Sequence, residues 1–135
     1  MNKYMAAYAG TAVVMVALDM LWLVVIAKTL YQQEIGHLMA EKAIVPVAVL
    51  FYAVYALGLV IFAVAPHAEN TGWGKTLVMG ALFGFFAYAT YDLTNLATLR
   101  DWPVRLTLID IAWGTFVSAV AATAGKAAMD WAGKN

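Results

Sequence analysis

Four apolar runs, at approximately 4–27, 43–65, 76–99 and 104–125, dominate this sequence. A helix needs about 20 apolar residues to cross a hydrocarbon core, so each run is long enough to span one. In lipid every backbone N–H and C=O must find its partner inside the protein, and a lone apolar run does this only as a helix. The expected fold is therefore all-α: an integral membrane bundle of four transmembrane helices, forming one domain over residues 1–135. Charged residues make up 12% of the chain and hydrophobic ones 64%, whereas soluble proteins carry about 25% charged residues. The first run is longer than the apolar core of a signal peptide, carries Asp19, and lacks a convincing small-residue cleavage site after it. It reads as a retained membrane helix.

The breaks between runs have their own chemistry. Residues 30–42 hold Tyr31, Gln32, Gln33, Glu34, Gly36, His37, Glu41 and Lys42, a polar and partly helical connection at the membrane surface. Pro66 closes the second run, and Asn70-Thr-Gly72-Trp73-Gly74 is turn-rich. Only Arg100-Asp101-Trp102-Pro103 separates the third run from the fourth, so those two helices should form the tightest hairpin. Asp101 is positioned to cap the fourth helix, and Pro46 and Pro103 fall in first turns, where a missing N–H is tolerated. Gly80 and Gly84 form a GxxxG pair, and Gly114, Ser118 and Ala122 continue a row of small residues, the spacing that lets helices approach closely in lipid.

Charge excludes several functions and leaves orientation open. Eight Lys and Arg balance eight Asp and Glu, so no basic patch exists for nucleic acid. There is no cysteine, which removes disulfides and thiolate chemistry. Near the helix ends, Lys3, Lys75, Lys126 and Lys134 fall on one side and Lys28, Lys42, Arg100 and Arg105 on the other. This tie gives no orientation by the positive-inside rule and is what an antiparallel homodimer would show. Lys126 reads as the end of the fourth helix, snorkelling to the interface, and Trp73, Trp102 and Trp131 as interfacial belt residues.

The candidate site lies within the spans. An aspartate at bilayer depth costs several kcal/mol and persists only if it faces protein, a cavity or a partner. Asp19, Asp92 and Asp110 lie in the first, third and fourth runs. Measured from the face carrying Lys28, Arg100 and Arg105, they lie roughly 13, 12 and 8 Å deep at helical rise, a shared layer. Phe51, Tyr52 and Tyr55 of the second run reach the same depth. Tyr88, Asp92 and Asn95, at i, i+4 and i+7, form an inward stripe. The first and fourth runs each carry Asp-x-x-Trp, as Asp19/Trp22 and Asp110/Trp113, in helices of opposite direction. That is the pattern an inverted repeat would leave.

Carboxylates held together at low dielectric cannot all stay ionised unless a cation offsets them, so one keeps a proton or a cation binds. The plainer alternative is that the acids only bond indole, phenol and amide groups and thereby fix helix register. His37 and Glu41 share a face if their segment is helical, but a solvated surface is the simpler reading, and no metal site or cofactor is expected. No phosphate loop, nucleophile elbow or His-Glu-x-x-His pattern occurs.

Leu18-Asp19-x-x-Trp22-Leu23, Phe51-Tyr52-x-x-Tyr55-x-x-Gly58, Tyr88-Ala-Thr-Tyr91-Asp92-Leu93-Thr94-Asn95 and Asp110-x-Ala112-Trp113-Gly114-Thr115 together resemble a bacterial inner-membrane four-helix family known chiefly as a domain of unknown function. The resemblance implies a stand-alone multi-pass protein of the bacterial inner membrane and brings no reaction with it. The function expected from the residues is binding, and with it proton-coupled transport, of a cation or small amphipathic ligand at Asp19, Asp92 and Asp110. Asn95, Tyr52 and Tyr91 would complete the polar shell, with Trp22 and Trp113 as apolar or cation-π walls. Transport through so small a bundle would call for a homodimer. Two alternatives are an enzyme using paired aspartates for acid/base chemistry on a lipid or isoprenoid-like substrate, its catalytic residues unassigned, and a structural or accessory membrane subunit.

Overall fold

A computed structural model describes residues 2–134. Helix α1 covers Lys3–Leu21, starts at an Asn2 cap whose side chain accepts from Tyr4 N at 2.7 Å, and continues through a wide π turn at Trp22–Ile26. The chain bends at Ala27 into the short helix α2, Lys28–Ile35, which ends in a 3-10 turn at Gly36–Leu38. Helix α3, Val45–Leu59, has Pro46 in its first turn and runs on through a second π turn, Val60–Val64, and a 3-10 turn at Ala65–His67. Helices α4, Gly74–Thr98, and α5, Val104–Gly133, follow. With the added turns, four spans are long and apolar enough to cross a membrane: Lys3–Ile26, Val45–His67, Gly74–Thr98 and Val104–Gly133. The protein is an all-α, multi-pass membrane bundle, with no strand among the described residues.

Helix α5 forms the centre. Half of its most apolar stretch is buried, against 17% for the first span, and it packs along both α4 and α1. The two rows of small residues make this approach possible. A Cβ on Gly80 would meet Ala122 Cβ at 2.8 Å and Ser118 O at 2.9 Å, and one on Gly84 would collide with Gly114 O and Ser118. On the other flank, a Cβ on Gly10 would meet Ala128 Cβ at 2.9 Å, and Gly125 leaves room for Thr11. Helix α3 lies against α1, where Tyr8 donates to Ala53 O at 3.0 Å, and its terminal π turn packs against α4. Met15, Leu59, Val117, Ala121 and Met129 fill the shared interior.

Three expectations are corrected. Helix α5 does not end near Gly125 but continues to Gly133, because the segment contains no proline and its two charges, Lys126 and Asp130, pair with each other. Lys126 is fully buried rather than snorkelling. Its Nζ donates to Asp130 Oδ1 at 2.6 Å, Asn70 O at 2.9 Å and Ala68 O at 3.3 Å, which uses all three ammonium protons. Asp101 does not cap α5. The cap position is Pro103, in extended conformation, and the Asp101 carboxylate instead lies 3.3 Å from His37 Nε2.

Candidate functional site

The stacked indoles of Trp22 and Trp113 mark the meeting of α1 and α5, with ring centroids 4.4 Å apart and planes 6° from parallel. Each tryptophan serves the acid of the opposite helix. Trp113 Nε1 donates to Asp19 Oδ1 at 2.9 Å. Trp22 Nε1 donates to the Tyr31 hydroxyl at 3.1 Å, and that hydroxyl donates to Asp110 Oδ1 at 2.8 Å. Antiparallel packing of two Asp-x-x-Trp units produces this exchange, because each indole lies one helical turn past its own acid and level with the other.

Asp19 is fully supplied. Its second oxygen accepts from Tyr52 of α3 at 2.9 Å, so α1, α3 and α5 are tied at one carboxylate. Asp92 contrasts with it. Its residue is 0% exposed, it adjoins the Asp110 carboxyl and the Trp102 indole, and neither of its oxygens is hydrogen-bonded. Such a group costs about 1–3 kcal/mol even when neutral and more when charged. Among the described residues, no lysine, arginine or histidine pairs with Asp19, Asp92 or Asp110. The nearby basic side chain of Arg105 lies 3.7 Å from Glu34 of α2 instead.

Beside this group lies a partly open cavity of about 470 Å³, lined among others by Tyr31, Tyr55, Tyr88, Tyr91, Trp102 and Asp110. Helix α2 roofs it with Tyr31 and Ile35. Burial, with Asp110 close by, pushes ionisation of the Tyr31 hydroxyl well above the ordinary tyrosine range, so Tyr31 acts as a donor to Asp110. Tyr55 is fixed by its 2.7 Å hydrogen bond with Ser118 Oγ, and Tyr91 stands edge-on to Trp102 at 5.7 Å. The rings present faces and hydroxyls to a space with a carboxylate in its wall.

The structure thus gathers Asp19, Trp113 and Tyr52 into one hydrogen-bonded chain and Trp22, Tyr31 and Asp110 into another, joins the two through the Trp22–Trp113 stack, and sets Asp92 against Asp110. Tyr91 is 53% exposed and reaches the group only as a cavity wall. Asn95 is half-buried beside Tyr91, with no hydrogen bond to any of the three acids among the described residues. No three His, Asp or Glu side chains among the described residues converge as a metal site would require. Trp102, expected in the interfacial belt, lines the cavity, and its Nε1 is buried without a hydrogen bond. Sequence reasoning missed Tyr31 altogether. It is 79 residues from Asp110, and a tyrosine beside a polar connection reads equally well as an interfacial anchor.

The family described as "Predicted membrane protein (DUF2177)" matches residues 4–127. The chain belongs to that family. No curated protein and no solved structure matches it. The matched region includes α1 through most of α5, so every residue of the aspartate group lies within it. The family description gives a membrane location and no reaction.

Proposed function

We propose that this protein binds a small organic cation with an apolar body in the cavity between α2, α3, α4 and α5, and that binding exchanges with protons on the Asp92–Asp110 pair. One observation carries the reading: Asp92 is fully buried, unbonded and without a basic partner, beside Asp110 in the wall of an aromatic cavity. Two adjoining carboxyls in such surroundings hold either a shared proton or a cation, and the two states are interchangeable. Tyrosine and tryptophan faces supply cation-π attraction to a weakly hydrated organic cation, worth about 2 kcal/mol when desolvated. The aspartates do not close into a metal cage, which favours an organic cation over a hard metal ion.

The test is titration of the bilayer-reconstituted protein with tetrapropylammonium, followed by tryptophan fluorescence and repeated across pH. Saturable binding that weakens on acidification, and that Asp110→Asn and Asp92→Asn each reduce, is the expected result. Absence of saturable binding at any pH would remove the proposal. Proteoliposome uptake under an imposed proton gradient then asks whether binding extends to transport, for which a homodimer and an inner-membrane setting are part of the proposal. The adjoining carboxyls also support a second reading, acid/base catalysis on a membrane lipid. That reading predicts a changed lipid profile in expressing cells that is lost in Asp92→Asn and independent of any gradient.

A further inference from the structure

The backbones of α3 and α4 meet chiefly along the π turn Val60–Val64. Toward the aspartate end aromatic side chains fill the gap between them. Tyr55 stands 5.3 Å from Phe83 and 6.1 Å from Tyr88, ring to ring. Along the outer side of this gap runs an apolar groove of about 460 Å³, whose walls include Val47, Leu50, Val54, Gly58 and Phe83. The groove and the aromatic cavity share Phe51, Tyr55 and Ala87 as walls, so the two spaces adjoin across these side chains. At Gly58 the missing side chain leaves the space that Phe83 enters, since a Cβ there would lie 2.8 Å from its ring. An aromatic, largely apolar cavity with an uncompensated acid in its wall thus lies beside a groove suited to one hydrocarbon chain.

Resting on the proposed binding site, we infer that its ligand is a single-chain cationic amphiphile, with its ammonium head among Tyr31, Tyr88 and Asp110 and its tail in the α3–α4 groove. Charge complementarity selects the head, and the adjacency of the two spaces, with only the Phe51, Tyr55 and Ala87 side chains between them, places the tail. Entry is lateral from the lipid, through the gap between α3 and α4. The cation therefore never crosses the apolar bundle interior.

The inference is tested with dodecyltrimethylammonium carrying a photoreactive diazirine at the tail end, and dodecanol with the same group, in nanodiscs containing the full chain. Peptide mapping should place the cationic probe's cross-links in residues 47–58 and 83–87. The yield there should exceed that of the uncharged probe about thirtyfold, the factor that one desolvated cation contact corresponds to. Asp110→Asn and Asp92→Asn should remove that preference. Val54→Trp, at a position already facing lipid, should reduce tail cross-linking while leaving tetrapropylammonium binding unchanged. Equal labelling by both probes, or labelling spread over the whole lipid-facing surface, would overturn the amphiphile even if tetrapropylammonium still binds. Loss of tetrapropylammonium binding in the unaltered protein would instead remove the underlying site.

Discussion

The two ends of the bundle treat buried charge in opposite ways. At one end Lys126 is surrounded by Asp130 and two loop carbonyls, and Trp73 Nε1 donates to the other Asp130 oxygen at 3.0 Å. The buried ammonium there is fully partnered. At the other end Asp19 and Asp110 take indole and phenol donors but no cation, and Asp92 has no hydrogen bond at all. A compensated charge ties the loop at 68–70 to α5 and stabilises the bundle. An uncompensated one detracts from stability and persists where it serves another purpose.

Four substitutions put that contrast at risk. The largest effect is expected for Lys126→Met, which leaves the loop carbonyls of Ala68 and Asn70 without their donor and Asp130 with Trp73 alone. A loss of about 3 kcal/mol is expected from removing several charge-assisted hydrogen bonds at once, measurable by circular dichroism during denaturant titration in mixed micelles. A neutral result would mean that the two ends are not different in kind. Next is Gly84→Ala, whose new methyl collides with Gly114 O and Ser118. Forcing α4 from α5 should cost about 1–3 kcal/mol by the same assay.

Tyr31→Phe is milder. It removes the donor to Asp110 and the acceptor for Trp22, at about 1 kcal/mol, and should shift tryptophan emission because Trp22 loses its partner. An unchanged spectrum would detach α2 from the aspartate group. The smallest change in stability is expected for Asp92→Asn, within about 1 kcal/mol and of stabilising sign, since it removes an unbonded buried acid. A marked loss of stability in this variant would show that Asp92 is a packing element, and the proposed exchange of proton and cation would lose its basis.

The outline of the molecule was legible in the residues. Four runs long enough to cross lipid, a four-residue hairpin link and the facing rows Gly80/Gly84 and Gly114/Ser118/Ala122 are local patterns, and hydrocarbon admits few other arrangements of them. That Asp19, Asp92 and Asp110 share one level of the bundle also followed from counting residues, because helical rise is constant. The end of α5 was misread for a related reason. A lysine in an apolar run signals an interface unless partners exist, and its partners at 68 and 70 are remote in sequence.

What sequence alone determined, then, was what each helix had to be by itself: its length, its apolar character, its small-residue face and the depth of its acids. Tertiary structure decided how the helices turn about their axes and what meets across them. It paired Trp113 with Asp19, brought Tyr31 to Asp110 through the bend at Ala27, left Asp92 without a partner and set Tyr55 against Phe83 and Tyr88 of α4. The physical reason is that rise along a helix is fixed by its own hydrogen bonds, whereas rotation and separation are set by packing against neighbours that no single stretch of sequence contains.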